Sequence, residues 1–417
     1  MNRYILVFLC FFYVNSFSQN NSIFQIDLFN LNYSSTFFNS DTILGVPFFT
    51  DHNVHFLTKN SLNKFSVFEK NNIIIDFSQF VEDGNNLAFN FLSENNLLFF
   101  GFPKANSHYS FGFKYSSYFD LNLSNQLINL FWNGNNQYSD NIVSFRENYI
   151  SLIQFSSLFF QYSSDFSDNF RIGARVSLLH GVNFFNLEKG NFSLQSLSGS
   201  ITPFSSFIHT DIFYQSSRAN FFGFSNPGLS VNLGVKYNFN KWKFLADFQN
   251  LGFIFWHKSN SQYQSEGSYF FDGVGYTMDQ ILSEEINNTL DTLEDVFALN
   301  RVSEKSFFSK LPTRFNLQAS YSYQPSLDFF IEYFAVQDNL SGYTHNTFFG
   351  LSKIFNKKTG FKVAYNFNNY SFNNIQFAIS RKFKNILVYV NTNNILTVFD
   401  FHESNYLNLQ AGIYYFL

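Results

Sequence analysis

Residues 229–256 read LSVNLGVKYNFNKWKFLADFQNLGFIFW. Leu229, Val231, Leu233, Val235, Tyr237 and Phe239 are apolar, while Ser230, Asn232, Gly234, Lys236 and Asn238 between them are polar or lack a side chain. Strict alternation of this kind makes a strand with one apolar and one polar face. Asn240-Lys241 turns the chain back, and Trp242, Phe244, Ala246 and Phe248 resume the apolar face opposite Lys243, Asp247 and Gln249. Near Asn250 the phase slips, so that Leu251, Phe253 and Phe255 become the apolar set. A one-residue slip beside Gly252 is the mark of a β-bulge. The stretch is a long two-faced hairpin.

The pattern continues on both sides. Downstream, Phe315, Leu317, Ala319, Tyr321 and Tyr323 alternate with Arg314, Asn316, Gln318, Ser320 and Ser322, and further strands follow to residue 417. Upstream, Tyr109, Phe111, Phe113 and Tyr115 oppose Ser110, Gly112 and Lys114, after a strand from Leu97 and a turn at residues 103–106. Residues 149–162 and 170–179 read as another strand pair, residues 191–197 and 204–214 as weaker strands, and residues 263–271 as a strand running beyond a membrane. Residues 43–57 look extended, residues 73–81 read as a short helix, and residues 122–148 as a long connection. Breaks near Asn240, Gln324, Asn356 and Lys384 are short; those at residues 215–227, 257–311, 337–345 and 392–406 are long. Alternating short and long connections are those of a transmembrane antiparallel β-barrel, with short turns on the periplasmic side and longer loops outside. The expected fold is all-β: a barrel of 14 to 16 strands over residues 44–417, both ends periplasmic, with residues 19–43 as an irregular N-terminal section and candidate plug.

Composition agrees. Aromatic residues are 22% of the 417, with 64 Phe, and charged residues only 13%, about half the usual share. A soluble protein of this size needs a charged coat. Mean hydropathy is -0.11, because apolar and polar residues are mixed one by one. Net charge is -4, and no basic stripe points to nucleic acid.

Residues 1–18 read as a secretory signal: Arg3 in the n-region, an apolar run over residues 4–14, and Ser16-Phe17-Ser18 as the cleavage site. The single cysteine, Cys10, falls in this leader, and Leu9 before it is bulky where lipoprotein processing wants a small residue. The mature chain then has no disulfide or thiolate metal site. No later segment reaches about 18 consecutive apolar residues, so no transmembrane helix is expected. A chain that spans without helices must close its sheet. The natural address is the bacterial outer membrane, with its lipids as the surrounding solvent.

Polar-face charges are expected to point inward: Lys114, Arg171, Arg175, Lys236, Asp247, Arg314, Asp328, Glu332 and Lys362. They fit a selectivity lining or a mutually paired network filling a closed interior. Tyr237, Trp242 and Phe255 are the expected aromatic girdle, since the span from Trp242 to Phe255 matches a membrane, about 30 Å at a 45° tilt. Residues 277–299 read as a helix in a loop insertion, apolar through Leu282, Ile286, Leu290, Leu293 and Phe297 and acidic on its other face. It fits a lid or docking helix, or a solvated loop helix. The eight His residues include no H-E-x-x-H pair, and neither G-x-S-x-G nor a P-loop occurs. No catalytic site, metal or cofactor is expected.

Gln410-x-Gly412-x-x-Tyr415-x-Leu417 resembles the C-terminal signal read by the barrel-assembly machinery, with Leu417 standing where an aromatic is common. NLGFIFW, SYFFDG and SKLPTRFNLQASYSY resemble an uncharacterised family of outer-membrane barrels from Bacteroidetes-type bacteria, best from about Gly228 onward. That family is similar, at a distance, to the FadL-type transporters of hydrophobic compounds. This chain has Asn32-Tyr33-Ser34 where such barrels often carry Asn-Pro-Ala, and Asn250 where Asp usually precedes Leu-Gly-Phe-Ile. The resemblance implies architecture, location and passive transport of a small hydrophobic compound. The alternative is a structural or secretion-associated barrel whose extracellular loops bind other proteins.

Overall fold

The computed structural model describes residues 42–417 except 60–65, 70–71, 76, 135–140, 147, 197–205, 222, 224, 272–299, 304, 325, 339–341, 356–357 and 400–403. The leader, nearly all of the 19–43 section and the 277–299 helix therefore lie outside the described residues.

The elements in chain order are β1 (Ile43–Gly45), β2 (Asp51–Thr58), β3 (Ser66–Glu69), β4 (Asn72–Ile75), α1 (Ser78–Glu82), β5 (Leu87–Lys104), β6 (Ser107–Leu123), α2 (Asn125–Asn133), β7 (Ile142–Phe145), β8 (Tyr149–Ser167) and β9 (Phe170–Ser196). They continue with β10 (Ser206–Arg218), β11 (Pro227–Phe239), β12 (Trp242–Trp256), β13 (Asn260–Phe271), β14 (Asn300–Ser303), β15 (Phe307–Lys310), β16 (Arg314–Gln324) and β17 (Leu327–Asp338). The last are β18 (Gly342–Phe355), β19 (Thr359–Asn368), β20 (Asn374–Phe383), β21 (Ile386–Thr392), α3 (Leu396–Phe399) and β22 (Tyr406–Phe416).

The wall is a closed barrel of 14 antiparallel strands. Its staves are β1 and β2 together, then β5, β6, β8, β9, β11, β12 and β16 to β22 in turn. Closure is made by β22, which pairs with β1 (Ile43↔Phe416) and with β2 (His52↔Ala411). Tight turns gather at one end. Ala105, Asn240 and Lys384 each lead a two-residue turn with φ of 52°, 54° and 52°, the left-handed conformation that such hairpins require. Both ends of the described chain lie at this turn end, and the long connections lie at the other. No helix among the described residues is long and apolar enough to cross a membrane; the strands cross it.

The hairpin of β11 and β12 carries the expected faces. Leu229, Leu233, Val235, Phe244, Phe248, Leu251 and Phe253 are exposed outward, while Asn232, Leu245, Asp247 and Gln249 are buried. The phase slip is a bulge: Val231 pairs with Leu251 and Leu233 with Phe248. Its extra residue is Asn250, at φ 59°, a conformation in which Asn is several-fold enriched. The Asn250 amide N–H donates to Asn232 Oδ1 at 2.9 Å, closing the ladder around the insertion.

Three segments differ from the reading of the sequence. Residues 73–81 split into strand β4 and helix α1, because Ile73 pairs with Phe68 in a small hairpin. The long connection after β6 contains α2 and β7. Helix α2 is capped by Ser124, whose Oγ accepts from the Leu127 N–H, and it packs Leu127 against Phe145 and Leu194. Residues 393–399 are not a free surface loop. Asn393, Asn394 and Thr397 are buried, and both Asn394 Nδ2 and Thr397 Oγ1 donate to the Tyr406 carbonyl.

Strand β9 changes partner along its length. It pairs with β11 up to His180 and with β10 from Asn183. Beyond this fork, β7, β9, β10, β13 and β14 form a sheet projecting past the wall at the loop end, as expected for residues 263–271.

Candidate functional site in the barrel interior

Inward side chains form three tiers. Nearest the turns is an aromatic cluster of Ile43, Phe99, Phe159, Ala378, Tyr389, Tyr414 and Phe416. Toward the loops is an apolar cluster of Leu92, Tyr118, Ile153, Phe155, Leu179, Phe184, Ile254, Trp256 and Leu311. Between them lies a charged network.

Its centre is Glu94 on β5. Lys114 Nζ donates to Glu94 Oε1 at 2.5 Å, Arg314 Nη1 to Oε2 at 2.7 Å and the Tyr118 hydroxyl to Oε1 at 3.0 Å. A second Arg314 nitrogen donates to the Tyr118 hydroxyl, as does Asn250 Nδ2 at 2.9 Å. Glu94 and Arg314 are 220 residues apart in sequence, so the pair bolts β5 to β16 across the interior. Side-chain exposure is 1% for Arg314 and 0% for Glu94. At that burial each charge depends on its partner, because neither reaches water.

Four satellites surround this bolt. Asp51 accepts from Tyr389 at 2.5 Å, Asn96 at 3.0 Å and Gln410 at 3.2 Å. Arg175 donates through Nε and Nη2 to Gln161 Oε1 and lies 4.4 Å from the Phe159 ring centre. Asp247 accepts from Gln249 at 2.6 Å. Lys362 pairs with Glu332 at 3.2 Å and lies over Phe330.

Of the charges picked from the sequence, Lys114, Arg175, Asp247, Arg314, Asp328, Glu332 and Lys362 are buried inside. Asp328 pairs with Lys243 at 2.8 Å. Arg171 pairs with Asp165 beside the turn of β8 and β9, and Lys236 is half-buried. Tyr237 and Trp242 are outward and exposed near the turn end, with the Trp242 ring tilted against Tyr321 at 5.0 Å. Phe255 packs on Phe308 at 4.7 Å. In the C-terminal strand, Gln410 is buried against Asp51, whereas Tyr415 and Leu417 face outward. Gly412 faces inward, where a Cβ would lie 2.3 Å from the Thr50 carbonyl and 2.7 Å from the Tyr389 ring. Sequence reasoning missed Glu94, Asp51 and Tyr118. A cue for Glu94 was present: a lone carboxylate inside the polar run Ser93 to Asn96, just ahead of an apolar strand.

The fork of β9 adjoins the apolar tier. Gly181 sits beneath Trp256, and a Cβ there would meet the indole at 2.5 Å. Trp256 is fully buried, donates to Ser309 Oγ at 2.8 Å and packs on Phe184. Asn226 pins the fork: its Nδ2 donates to the Gly181 carbonyl, and its Oδ1 accepts from the His257 and Lys258 amides. Among the described residues no three His, Cys, Asp or Glu side chains come together as a metal site would require.

A family model described as a family of unknown function, DUF5723, matches residues 36–393. The chain belongs to that family. No curated protein sequence matches it. Among solved structures it is similar to the Ralstonia pickettii toluene transporter TbuX, at 11% identity over 90% of this chain and 88% of that one, with a TM-score of 0.41. It is also similar to the Pseudomonas putida toluene transporter TodX, at 9% identity over 96% and 93% with a TM-score of 0.40. A Pseudomonas aeruginosa FadL homologue matches at 10% identity over 94% and 92%, with a TM-score of 0.41. This family member is a closed barrel of the bacterial outer membrane, its outward face apolar and its buried charges held by ion pairs or hydrogen bonds.

Proposed function

We propose that this barrel carries a small hydrophobic compound passively across the outer membrane and performs no chemistry on it. The observation behind the reading is the apolar tier set against the β9 fork. An interior of this kind ordinarily presents polar side chains to water; here Phe155, Leu179, Phe184 and Trp256 make an apolar patch beside a change of strand partners. Such a patch suits a compound that partitions from lipid. The charged tier beneath it, with its mutually paired residues, supports a closed resting state in which the polar side of the path is shut. Assembly in this reading runs through the barrel-assembly machinery, engaged by Gln410, Gly412, Tyr415 and Leu417.

A second reading is favoured by the burial of Glu94 and Arg314: a structural or secretion-associated barrel whose interior is only a core. Uptake of a hydrophobic fluorescent amine into proteoliposomes separates the two. Transport predicts uptake above empty vesicles, reduced by Leu179→Asp. Uptake equal to empty vesicles, with correctly folded barrel present, leaves the second reading standing.

A further inference from the structure

The outer wall carries a depression of about 360 Å³ along β11, β12, β16 and β17, lined mostly by outward side chains. Its floor is low because Ala246 and Ala319 are small and diagonal to one another, Ala246 pairing with Leu317 and Phe244 with Ala319. Tyr237, Phe244, Leu317 and Ile331 stand around them, and each is exposed on the membrane face. The volume lies in the range of ligand-sized pockets, which are about 300–1,000 Å³. Whatever fills it comes from the membrane, because no water is available at this face. The depression lies on the half of the hairpin nearer the Asn240-Lys241 turn, so it opens to the periplasmic leaflet. Lys241 is exposed in that turn, next to the exposed Trp242.

We infer that this depression is a site for one glycerophospholipid of the periplasmic leaflet, an acyl chain lying over Ala246 and Ala319 and the phosphate facing Lys241. Charge complementarity selects this occupant. A cation at the membrane surface favours an anionic head group, and Phe244 and Leu317, paired with Ala319 and Ala246, stand on either side of the alanine diagonal. The site is independent of what the interior carries.

The test uses the full barrel, purified, stripped of lipid and titrated with palmitoyl-oleoyl phosphatidylglycerol under native mass spectrometry. Wild type should retain one lipid that Ala319→Phe does not. Ala319→Phe places an apolar side chain on an apolar face, and heat-modifiability confirms its folding. Val363→Phe, on the lipid face of β19, should retain the lipid as wild type does. Lys241→Glu should weaken retention by about fivefold or more, and a neutral diacylglycerol should not replace the phospholipid. Equal retention by wild type and Ala319→Phe overturns the site. So does a dimer that Ala319→Phe abolishes, since a second copy would then be the occupant.

Discussion

Glu94→Ala tests whether the interior is dry and bolted together. Removing the carboxylate leaves Lys114 and Arg314 buried with no carboxylate at hydrogen-bonding distance among the described residues, and Arg314 with the neutral Tyr118 hydroxyl as its acceptor. Breaking a buried pair by deleting one partner costs about 3–5 kcal/mol. Two cations lose their partner here, while Arg314 keeps the Tyr118 hydroxyl, so the expected loss is about 4 kcal/mol. Glu94→Gln retains an acceptor oxygen and the shape, and should cost about 2 kcal/mol, the worth of a charged hydrogen bond. The combination Glu94→Leu, Lys114→Met and Arg314→Met removes every charge of the bolt together. It should recover stability to within about 1 kcal/mol of wild type or exceed it, because no desolvated charge remains. The measurement is guanidinium unfolding in lipid vesicles, followed by tryptophan fluorescence, with the buried Trp256 reporting the interior. A Glu94→Ala barrel within about 1 kcal/mol of wild type would mean that Lys114 and Arg314 reach water, and the account of a dry crossbar would be wrong.

Leu233→Arg places a cation on the lipid face and should cost about 2–4 kcal/mol near midplane, whereas Leu233→Phe should be close to neutral; equal losses would mean the faces are misassigned. Asn232→Arg is not the mild partner that alternation alone suggests, because Asn232 is buried and holds the bulge at Asn250. Asn250→Ala forces Ala into the left-handed region at about 1–2 kcal/mol and loses the bond to Tyr118, and Asn250→Gly should restore the backbone part alone. If Gly rescues nothing in the same unfolding assay, the positive φ is not what the site selects. Gly412→Ala should lower the yield of heat-modifiable barrel, since its Cβ would strike the Thr50 carbonyl and the Tyr389 ring; an unchanged yield would place that strand differently.

The faces of β11, β12 and β16 were legible because lipid outside and a polar interior impose opposite demands on alternate residues. The bulge at Asn250 was legible for the same reason, since an extra residue shows itself by reversing the phase. Glu94 was hidden where that contrast fails: Ser93, Glu94, Asn95 and Asn96 are all polar and all buried, on both faces of β5. Lys114 and Arg314 were recognisable as inward charges, but their common partner was not, since a bond across the interior leaves no register in either strand. The β9 fork was divided by reading its far half as a separate weak strand. Continuity across Gly181 depends on tertiary pairing with Asn226, which no local pattern carries. Residues 393–399 look like a loop because they are rich in Asn, yet there the amides are spent on Tyr406 and Gln376.

The C-terminal strand carries the last prediction. Residues 413–417 close the barrel: Tyr414, Tyr415 and Phe416 pair with Gly45, Leu44 and Ile43 on one side, while Ile413, Tyr414 and Tyr415 pair with Val388, Leu387 and Ile386 on the other. Their deletion exposes two strand edges at the turn end at once and removes Tyr414 and Phe416 from the aromatic tier. An unpaired edge has no partner in hydrocarbon, where each unsatisfied backbone group costs several kcal/mol. The truncated chain should therefore remain protease-sensitive and show no heat-modifiable band. Deleting residues 393–399 should fail as well, because Asn393, Asn394 and Thr397 tie β21 to β22 through Tyr406. An epitope inserted after the exposed Gly134, at the end of α2, should be accepted, since loop tips tolerate added length. Unheated and heated membranes from all three, run on one gel, decide the matter. A heat-modifiable band from the C-terminal truncation would show that β1 and β21 close the barrel without the end of β22, and that the paired edge is not what holds it shut.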